Sequence, residues 1–435
     1  MQGLYTLLLR LATPFAIAFA WWHGVRSPEL RTDIAQRLGR TPPVADAPVW
    51  IHAVSVGEVQ AIAGVLAALR IAHPQIALLL TTATPTGMAR AKALYSDDVQ
   101  LRYAPFDLPG AARRFLERTR PCMALFVETE LWPNLIAACA AREIPIALIS
   151  ARVSERSKQR YLRFVPQLMR VTVSRLALIA AQSRQDAVRF AALGARAGCV
   201  HITGNIKFDV RLPGNLRARA TELSARYARG RPVWVAGSTH AVEEEQLLDA
   251  HRQLIATVPD ALLVLVPRHP QRFDAVARLL ESSGVSFVRR STQEDPVPGT
   301  QVVLVDSLGE LLVFYALADV AFVGGSLVPV GGHNLLEPAA LGMATLSGPH
   351  VGNAPDIARV LTAAQALVLV EDAASLARQL ARLLPDAAAR QRLGAAARAT
   401  VEANRGAVAR TLALLEAPLR AMAVPGSAPE PPAAR

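Results

Sequence analysis

From about Val49 onward, short and nearly uninterrupted apolar runs alternate with longer segments of helical period. The first half carries VWIHAVS, IALLLTTAT, VQLRYAPF, CMALFVETE, IPIALISA, LALIAAQS and CVHITGN. Between them lie segments such as EVQAIAGVLAALRIA, GAARRFLERTR and RQDAVRFAALG, whose apolar residues recur every three or four positions. Near-continuous apolar strands separated by helices predict βαβ units and a parallel sheet buried on both faces. The second half repeats the scheme with PVWVAGST, ALLVLVPRH, VSFVRR, QVVLVDS, ADVAFVGGS, MATLSGP and ALVLVED. The expected architecture is α/β, with two doubly wound domains facing each other across a cleft. Ligands of such sheets bind beyond the carboxyl ends of the strands.

A polar stretch from Pro213 and Gly214 to Gly230 and Pro232 contains no strand-like run and reads as a linker. The expected divisions are an N-terminal segment at 1–40, a first domain at 41–210, the linker at 211–231, a second domain at 232–415 and a tail at 416–435. The tail ends VPGSAPEPPAAR, a composition that suits disorder.

Residues 3–22, GLYTLLLRLATPFAIAFAWW, are strongly apolar but interrupted by Arg10 and Pro14. A full span needs roughly 20 predominantly apolar residues, so this run is borderline. The start lacks Lys and Arg and no A-x-A-like site follows, which argues against a cleaved signal peptide. Trp21 and Trp22, followed by Arg26, Arg31, Arg37 and Arg40, read as an interfacial belt with positive residues beyond it. The expectation is a single N-terminal membrane anchor with the body on the cytoplasmic side; the alternative is an apolar helix packed on the domain.

The chain has 435 residues, 52% hydrophobic and 19% charged, enough for two cores. Its 47 Lys and Arg against 35 Asp and Glu give +12, mostly as scattered arginine, which favours an anionic partner: an acidic membrane surface, a phosphorylated substrate or nucleic acid. No basic tract interleaved with aromatics is visible, so nucleic acid is not expected. Cys122, Cys139 and Cys199 form no CxxC pair, which indicates neither a disulfide framework nor a zinc site and fits a reducing compartment. No pattern defines an oligomeric state.

Polar groups recur where strands should end. In GGSLVPVGGHNLLEPAALG, from Gly324 to Gly342, a glycine turn precedes a helix expected to open near His333 and Asn334. Backbone N–H groups of such a turn can face an anion, and Glu337 one turn later can accept ribose hydroxyls. The other reading is a glycine-rich connection with a helix cap. In HAVSVGE, Glu58 opens a helix, either as a charge–dipole partner or as a general base whose burial must offset the dipole. FVETELWPN places Glu128 and Glu130 before a Trp-Pro helix start, for catalysis or for capping. TGNIKFD presents Lys207, functional or merely solvated. Gly237, Ser238 and Thr239 end PVWVAGST and either hold a phosphate or cap the next helix. VPRHP presents Arg268, suited to bidentate binding of a phosphate or carboxylate, and His269, which reads more as structural. HEXXH, DXD at a strand end and clustered His with acid partners are absent from the sequence. Leaving-group charge is therefore expected to be met by Arg, Lys and helix dipoles, with no metal cofactor.

Taken in order behind an apolar N-terminus, HAVSVGE, FVETELWPN, TGNIKFD, VPRHP and GGHNLLEPAALG resemble the 3-deoxy-D-manno-octulosonic acid (Kdo) transferases, the membrane-associated glycosyltransferases of lipopolysaccharide inner-core assembly. The resemblance runs from the N-terminus to about Ile357. It implies a GT-B fold, with the acceptor on the N-terminal domain and CMP-Kdo on the C-terminal one. It further implies metal-independent transfer of Kdo to a lipid A precursor at the cytoplasmic face of the inner membrane. Carried onto this chain, Glu58 is the base in an inverting displacement, with Glu128 and Glu130 as further catalytic candidates. Arg268, assisted by Lys207, faces the CMP phosphate or the sugar carboxylate. Gly331, Gly332, Asn334 and Glu337 hold the CMP moiety, with Gly237, Ser238, Thr239 and His269 beside them. One departure is Ala354, next to Asn353, where the family usually carries an aromatic residue; it leaves open how that loop closes over the nucleotide. Two other readings, a UDP-sugar epimerase on the same scaffold and a non-enzymatic basic membrane scaffold, fit the N-terminus or the polar strand ends less well.

Overall fold

A computed structural model describes residues 2–23, 34–44, 46–95 and 99–423. All fourteen apolar runs become strands. In the first sheet, β1 (Val49–His52), β2 (Leu78–Thr82), β3 (Gln100–Tyr103), β4 (Met123–Val127), β5 (Ile146–Ala151), β6 (Leu178–Ala181) and β7 (Val200–Ile202) lie in the order β3-β2-β1-β4-β5-β6-β7. In the second, β8 (Val233–Thr239), β9 (Leu262–Pro267), β10 (Phe287–Arg289), β11 (Val302–Leu304), β12 (Val320–Val323), β13 (Ala344–Ser347) and β14 (Val368–Leu369) lie in the order β10-β11-β9-β8-β12-β13-β14. Every neighbouring pair is parallel. Central strands such as β1, β4 and β9 are buried along their whole length, because helices cover both faces.

Each unit begins its sheet with a Trp on the first strand. Trp50 is fully buried and donates its indole N–H to Thr81 Oγ1 at 2.8 Å. Trp234 is likewise buried, with His251 Nδ1 as acceptor at 3.2 Å. Each large apolar body enters the core without an orphaned donor.

The chain divides into one unit of residues 1–209 and 405–435 and a second of residues 210–404. This corrects the expected boundaries at two places. Residues 211–231 are no bare linker: helix Leu216–Leu223 and the turn Ser224–Ala228 bury Leu216, Ala220, Leu223 and Tyr227 in the second unit's core. Residues 405–423 return to the first unit. Asp209 accepts the amides of Gly406 and Val408, each at 2.6 Å, and so caps helix Ala407–Ala423. Ala407, Val408, Leu415 and Leu419 of that helix join the first core. Residues 416–423, expected in a disordered tail, therefore continue a packed helix because Leu419 needs burial; residues 424–435 lie outside the described residues.

The N-terminal run forms helix Gln2–His23, but among the described residues no helix is long and apolar enough to cross a membrane. Arg10 and Pro14 lie within it, and its first turns are tethered by polar contacts. Tyr5 donates to Asp107 at 2.8 Å, while Gln2 and Thr6 donate to Asn134 Oδ1 at 3.3 and 3.0 Å. Tyr5 also packs on the first core. The first turns of the helix expected as a spanning anchor are thus docked on the domain. Its other face keeps Leu4, Leu7, Leu8, Leu11 and Phe15 more than half exposed. Arg37 donates to the Ala83 carbonyl and lies over the Tyr103 ring, so it serves packing. Arg26 and Arg31 lie outside the described residues.

Candidate active site

In the first unit, the acidic candidates gather at the carboxyl ends of β1 and β4. Ser55 caps helix Val56–Ala61, accepting the Glu58 amide at 3.4 Å. The Glu58 carboxylate turns back, taking the Val54 amide at 2.6 Å and the Ser55 hydroxyl at 3.1 Å. This is the S-x-x-E arrangement of a capping box with its acid reaching one residue further back. The side chain is nevertheless buried, and burial dominates its ionisation. Burial, then the charges of Glu130 and Glu128, push the carboxyl up from 4.5 to about 7 against the opposing bonds from Val54 and Ser55. A capping position and a raised carboxyl thus coexist in one residue.

Glu128 ends β4 in a left-handed conformation with φ +58° and is buried. It pairs with Arg152 at 2.8 Å and with Lys207 at 2.5 Å. Burial pushes its carboxyl up, but Lys207 and Arg152 outweigh that and hold it below the usual range. A carboxylate held ionised by two cations is a weak base. Lys207, grouped with the donor residues in the sequence reading, therefore stands in the first unit, on Glu128. Asn205 sets it there by accepting the Lys207 amide at 2.9 Å. Glu130 accepts the Trp132 indole N–H at 2.5 Å, and burial raises its carboxyl. Trp132 meets His52 edge to face at 4.6 Å. Burial holds His52 neutral, pushing it down to about 3.

In the second unit, the candidates converge from β8, β9 and β12, which are neighbours in the sheet. At Gly237 a Cβ would stand 2.2 Å from the Tyr315 hydroxyl, so only glycine lets β8 pass that ring. Ser238 follows with φ +59°, and Thr239 donates to Glu244 Oε1 at 3.2 Å. Neither caps the next helix: Glu243–Ile255 begins after Val242, at φ +70°. Arg272 closes on Glu244 at 2.7 Å; burial still raises that carboxyl to about 7. Arg268 and His269 are exposed at the end of β9.

The glycine turn departs from expectation. Its first amides do not face an anionic ligand, because the fully buried Glu243 carboxylate takes them: Gly325 at 2.7 Å, Ser326 at 2.9 Å and Leu327 at 2.9 Å. Gly332 and His333 donate back to Gly325 and Gly324. The helix opens later than expected, at Leu336–Leu341, with Asn334 Oδ1 accepting the Leu336 amide at 3.0 Å. Asn334 also donates to Glu337 at 3.0 Å. Gly331 and Gly332 have φ of +104° and +74°, and side chains there would strike Asn353 and the His350 carbonyl. Asn353 fastens the turn by donating to Val330 and Gly332, and Ala354 simply begins helix Pro355–Ala363. The sequence reading gave no role to the side chains of Glu243, His240 and His333; three consecutive acids before a helical segment were the available signal for the first.

Among the described residues no group of three or more His, Cys, Asp or Glu is placed to hold a metal ion.

Comparison with known proteins is consistent with this arrangement. Residues 32–210 match the family model described as 3-Deoxy-D-manno-octulosonic-acid transferase (kdotransferase). The chain is 42% identical over 418 residues to the 3-deoxy-D-manno-octulosonic acid transferase of Haemophilus influenzae, covering 95% of this chain and 97% of that one. It is 39% identical over 432 residues to the Bordetella pertussis protein of the same name, covering 95% and 99%. A UDP-GlcNAc 2-epimerase from Neisseria meningitidis, bound to UDP-GlcNAc, is similar in fold at a TM-score of 0.55 and 14% identity, covering 85% of this chain and 100% of that one. At that identity the likeness concerns the two-domain GT-B-like fold alone. Near-full-length similarity at this level, with the acids and glycine turn at its strand ends, makes this chain a member of the 3-deoxy-D-manno-octulosonic acid transferase family.

Proposed function

We propose that the protein transfers Kdo from CMP-Kdo to a lipid A precursor, with inversion at the anomeric carbon and without a metal cofactor. The observation that carries the reading is Glu58: a buried carboxylate at the end of β1, raised to about 7 and so poised to exchange a proton near neutrality. In this mechanism Glu58 takes the proton of the acceptor hydroxyl as its oxygen attacks the anomeric carbon. The bond from that carbon to the phosphate oxygen breaks, and its electron pair leaves with CMP. A single displacement inverts the centre. Arg268, in the second unit, meets the charge developing on the CMP phosphate. Glu128, held ionised by Arg152 and Lys207, serves to position the turn after β4, and its charge helps to raise Glu58.

The same proposal places the protein at the cytoplasmic face of the inner membrane, held at the surface by helix Gln2–His23. The exposed row of Leu4, Leu7, Leu8, Leu11 and Phe15 supports an interfacial helix, and the net charge of +12 suits anionic lipid.

The test is transfer from CMP-Kdo to a lipid A precursor in detergent, read by mass spectrometry, comparing wild type with Glu58→Gln and Glu58→Ala. Activity in wild type, with near-complete loss in both variants despite retained CMP binding, is the expected result. Full activity in the variants would remove Glu58 from the chemistry, and an inactive wild type would sink the donor and acceptor assignment.

A further inference from the structure

His240, at the end of β8, and His333, in the glycine turn after β12, meet through their Nε2 atoms at 2.7 Å. Their planes differ by 6° and their centroids are 5.0 Å apart. With the Nε2 atoms that close, parallel rings at this separation lie edge to edge and almost in line, the geometry of one N–H···N hydrogen bond. One ring is therefore the Nε2–H tautomer and donates, while the other accepts through Nε2 and carries its hydrogen on Nδ1. The donating ring keeps a free Nδ1. A proton added there turns the contact into an imidazolium–imidazole bond, stronger than the neutral one, without breaking it. A second proton would break it, so the pair has room for one.

The fold makes room for this pair deliberately. Gly325 has φ +67°, and a Cβ there would stand 2.9 Å from the His333 ring and 3.4 Å from the His240 ring. The Glu243 carboxylate holds both sides in place, accepting the His240 amide at 3.2 Å and the Gly325 amide at 2.7 Å.

The surroundings are basic. His269 packs edge-on against His240 at 5.3 Å, and Arg268 and Arg272 flank the cluster from the end of β9. Of the three acids in the first turn of the adjoining helix, the two buried ones are engaged elsewhere, Glu243 on backbone amides and Glu244 on Arg272 and Thr239, and the third, Glu245, is exposed. Burial, with Arg268 and the other histidines adding to it, pushes His333 down to about 3; burial, His269, Arg268 and Arg272 lower His240. Both rings are half-buried, so a ligand can reach them.

We propose that the His240–His333 pair is a proton-linked anion site, taking up one proton when a phosphate- or carboxylate-bearing ligand binds beside it and Arg268. A bound anion favours the charged form against burial and the neighbouring cations, and the free Nδ1 then accepts a proton from solvent. This rests on the reading of the second unit as the donor-binding unit, and it adds two residues and a proton to that reading. Binding is therefore tightest at low pH and weakens as pH rises.

The test is calorimetric titration of the full-length protein in detergent with CMP and, separately, with sulfate, which does not itself titrate near neutrality. Buffers of different ionisation enthalpy count the protons. The wild type should take up as much as one proton with either anion in mildly acidic buffer, and affinity should fall by up to about tenfold per pH unit as pH rises toward the titration of the bound pair. His240→Gln and His333→Gln, each replacing one ring of the pair by a hydrogen-bonding side chain that does not titrate, should bind with that uptake reduced. Binding of CMP without proton uptake in wild type, or with undiminished uptake in both variants, overturns the pair while leaving the donor reading intact. Sulfate binding with uptake but no binding of CMP leaves the pair standing and sinks the nucleotide. Binding of neither anion removes both.

Discussion

The carboxylate of Glu243 accepts the amide of Gly325, 82 residues further along the chain, at 2.7 Å. With Ser326, Leu327 and His240 also donating to it, one buried acid organises the glycine turn. The first amides of the turn are thus taken by the protein itself, and this anchor fixes the shape of the loop that follows.

Glu243→Ala leaves those amides without their acceptor. Each buried unsatisfied donor costs about 1–3 kcal/mol before relaxation, so a net loss of about 3–5 kcal/mol is expected in chemical unfolding. CMP affinity should fall with it. Glu243→Gln, which retains one acceptor oxygen, should be intermediate. Wild-type stability and CMP affinity in the alanine variant would show that the turn holds its shape without the anchor.

The proposed base role of Glu58 requires its ionised form, so kcat/KM should rise with pH through about 7, to which its carboxyl is raised. Glu58→Gln should lower kcat by at least about a hundredfold, a usual share for a general base, and abolish that limb. The sign for stability is the reverse. A carboxyl raised in the folded state contributes stability that is complete below the ordinary 4.5 and is lost as pH rises through about 7. Glu58→Gln should remove this part of the pH dependence, which unfolding curves across that range would reveal.

Lys207 and Arg152 share Glu128, and the carboxylate is held below its ordinary range once their attraction outweighs its burial. Lys207→Ala should cost about 2–3 kcal/mol, less than the roughly 3–5 of a fully broken buried pair, because Arg152 remains. A depressed carboxyl contributes stability that is present above its ordinary titration range and is lost on acidification. The gap between wild type and Glu128→Gln should accordingly narrow in acid. A gap independent of pH in urea titrations would mean that the pairing contributes nothing.

Leu8 and Leu11 are exposed on helix Gln2–His23 and touch no core. Leu8→Glu with Leu11→Glu should leave the unfolding temperature unchanged and weaken binding to anionic phospholipid vesicles. Losing half of the roughly 1.5–3 kcal/mol that a buried leucine carries, at each site, corresponds to about tenfold or more. Unaltered vesicle binding in a sedimentation assay would exclude this face as the membrane contact.

The strands were legible because a sheet covered by helices on both faces demands continuous apolar runs, and each expected run, from VWIHAVS to ALVLVED, is a strand of a parallel sheet. The candidate positions at strand ends were legible for the same reason: chain direction in a parallel sheet decides which end carries the loops. Glu58 could be named, but not its ionisation, since burial and neighbouring carboxylates come from other segments.

Sequence alone therefore determined the two α/β units, the alternation that builds them, the family, and the list of polar strand ends. Tertiary structure decided which of those residues act together. It moved Lys207 to Glu128, sent residues 405–423 back to the first unit, and turned the expected spanning helix into one docked through Tyr5 and Thr6. It also spent the amides of Gly325, Ser326 and Leu327 on Glu243 and joined His240 to His333, 93 residues apart. Local pattern reflects which face of an element is buried, a property of neighbours in the chain. Pairing of charges, ring contacts and proton affinity depend on what lies across the fold, and short-range periodicity carries no information about that.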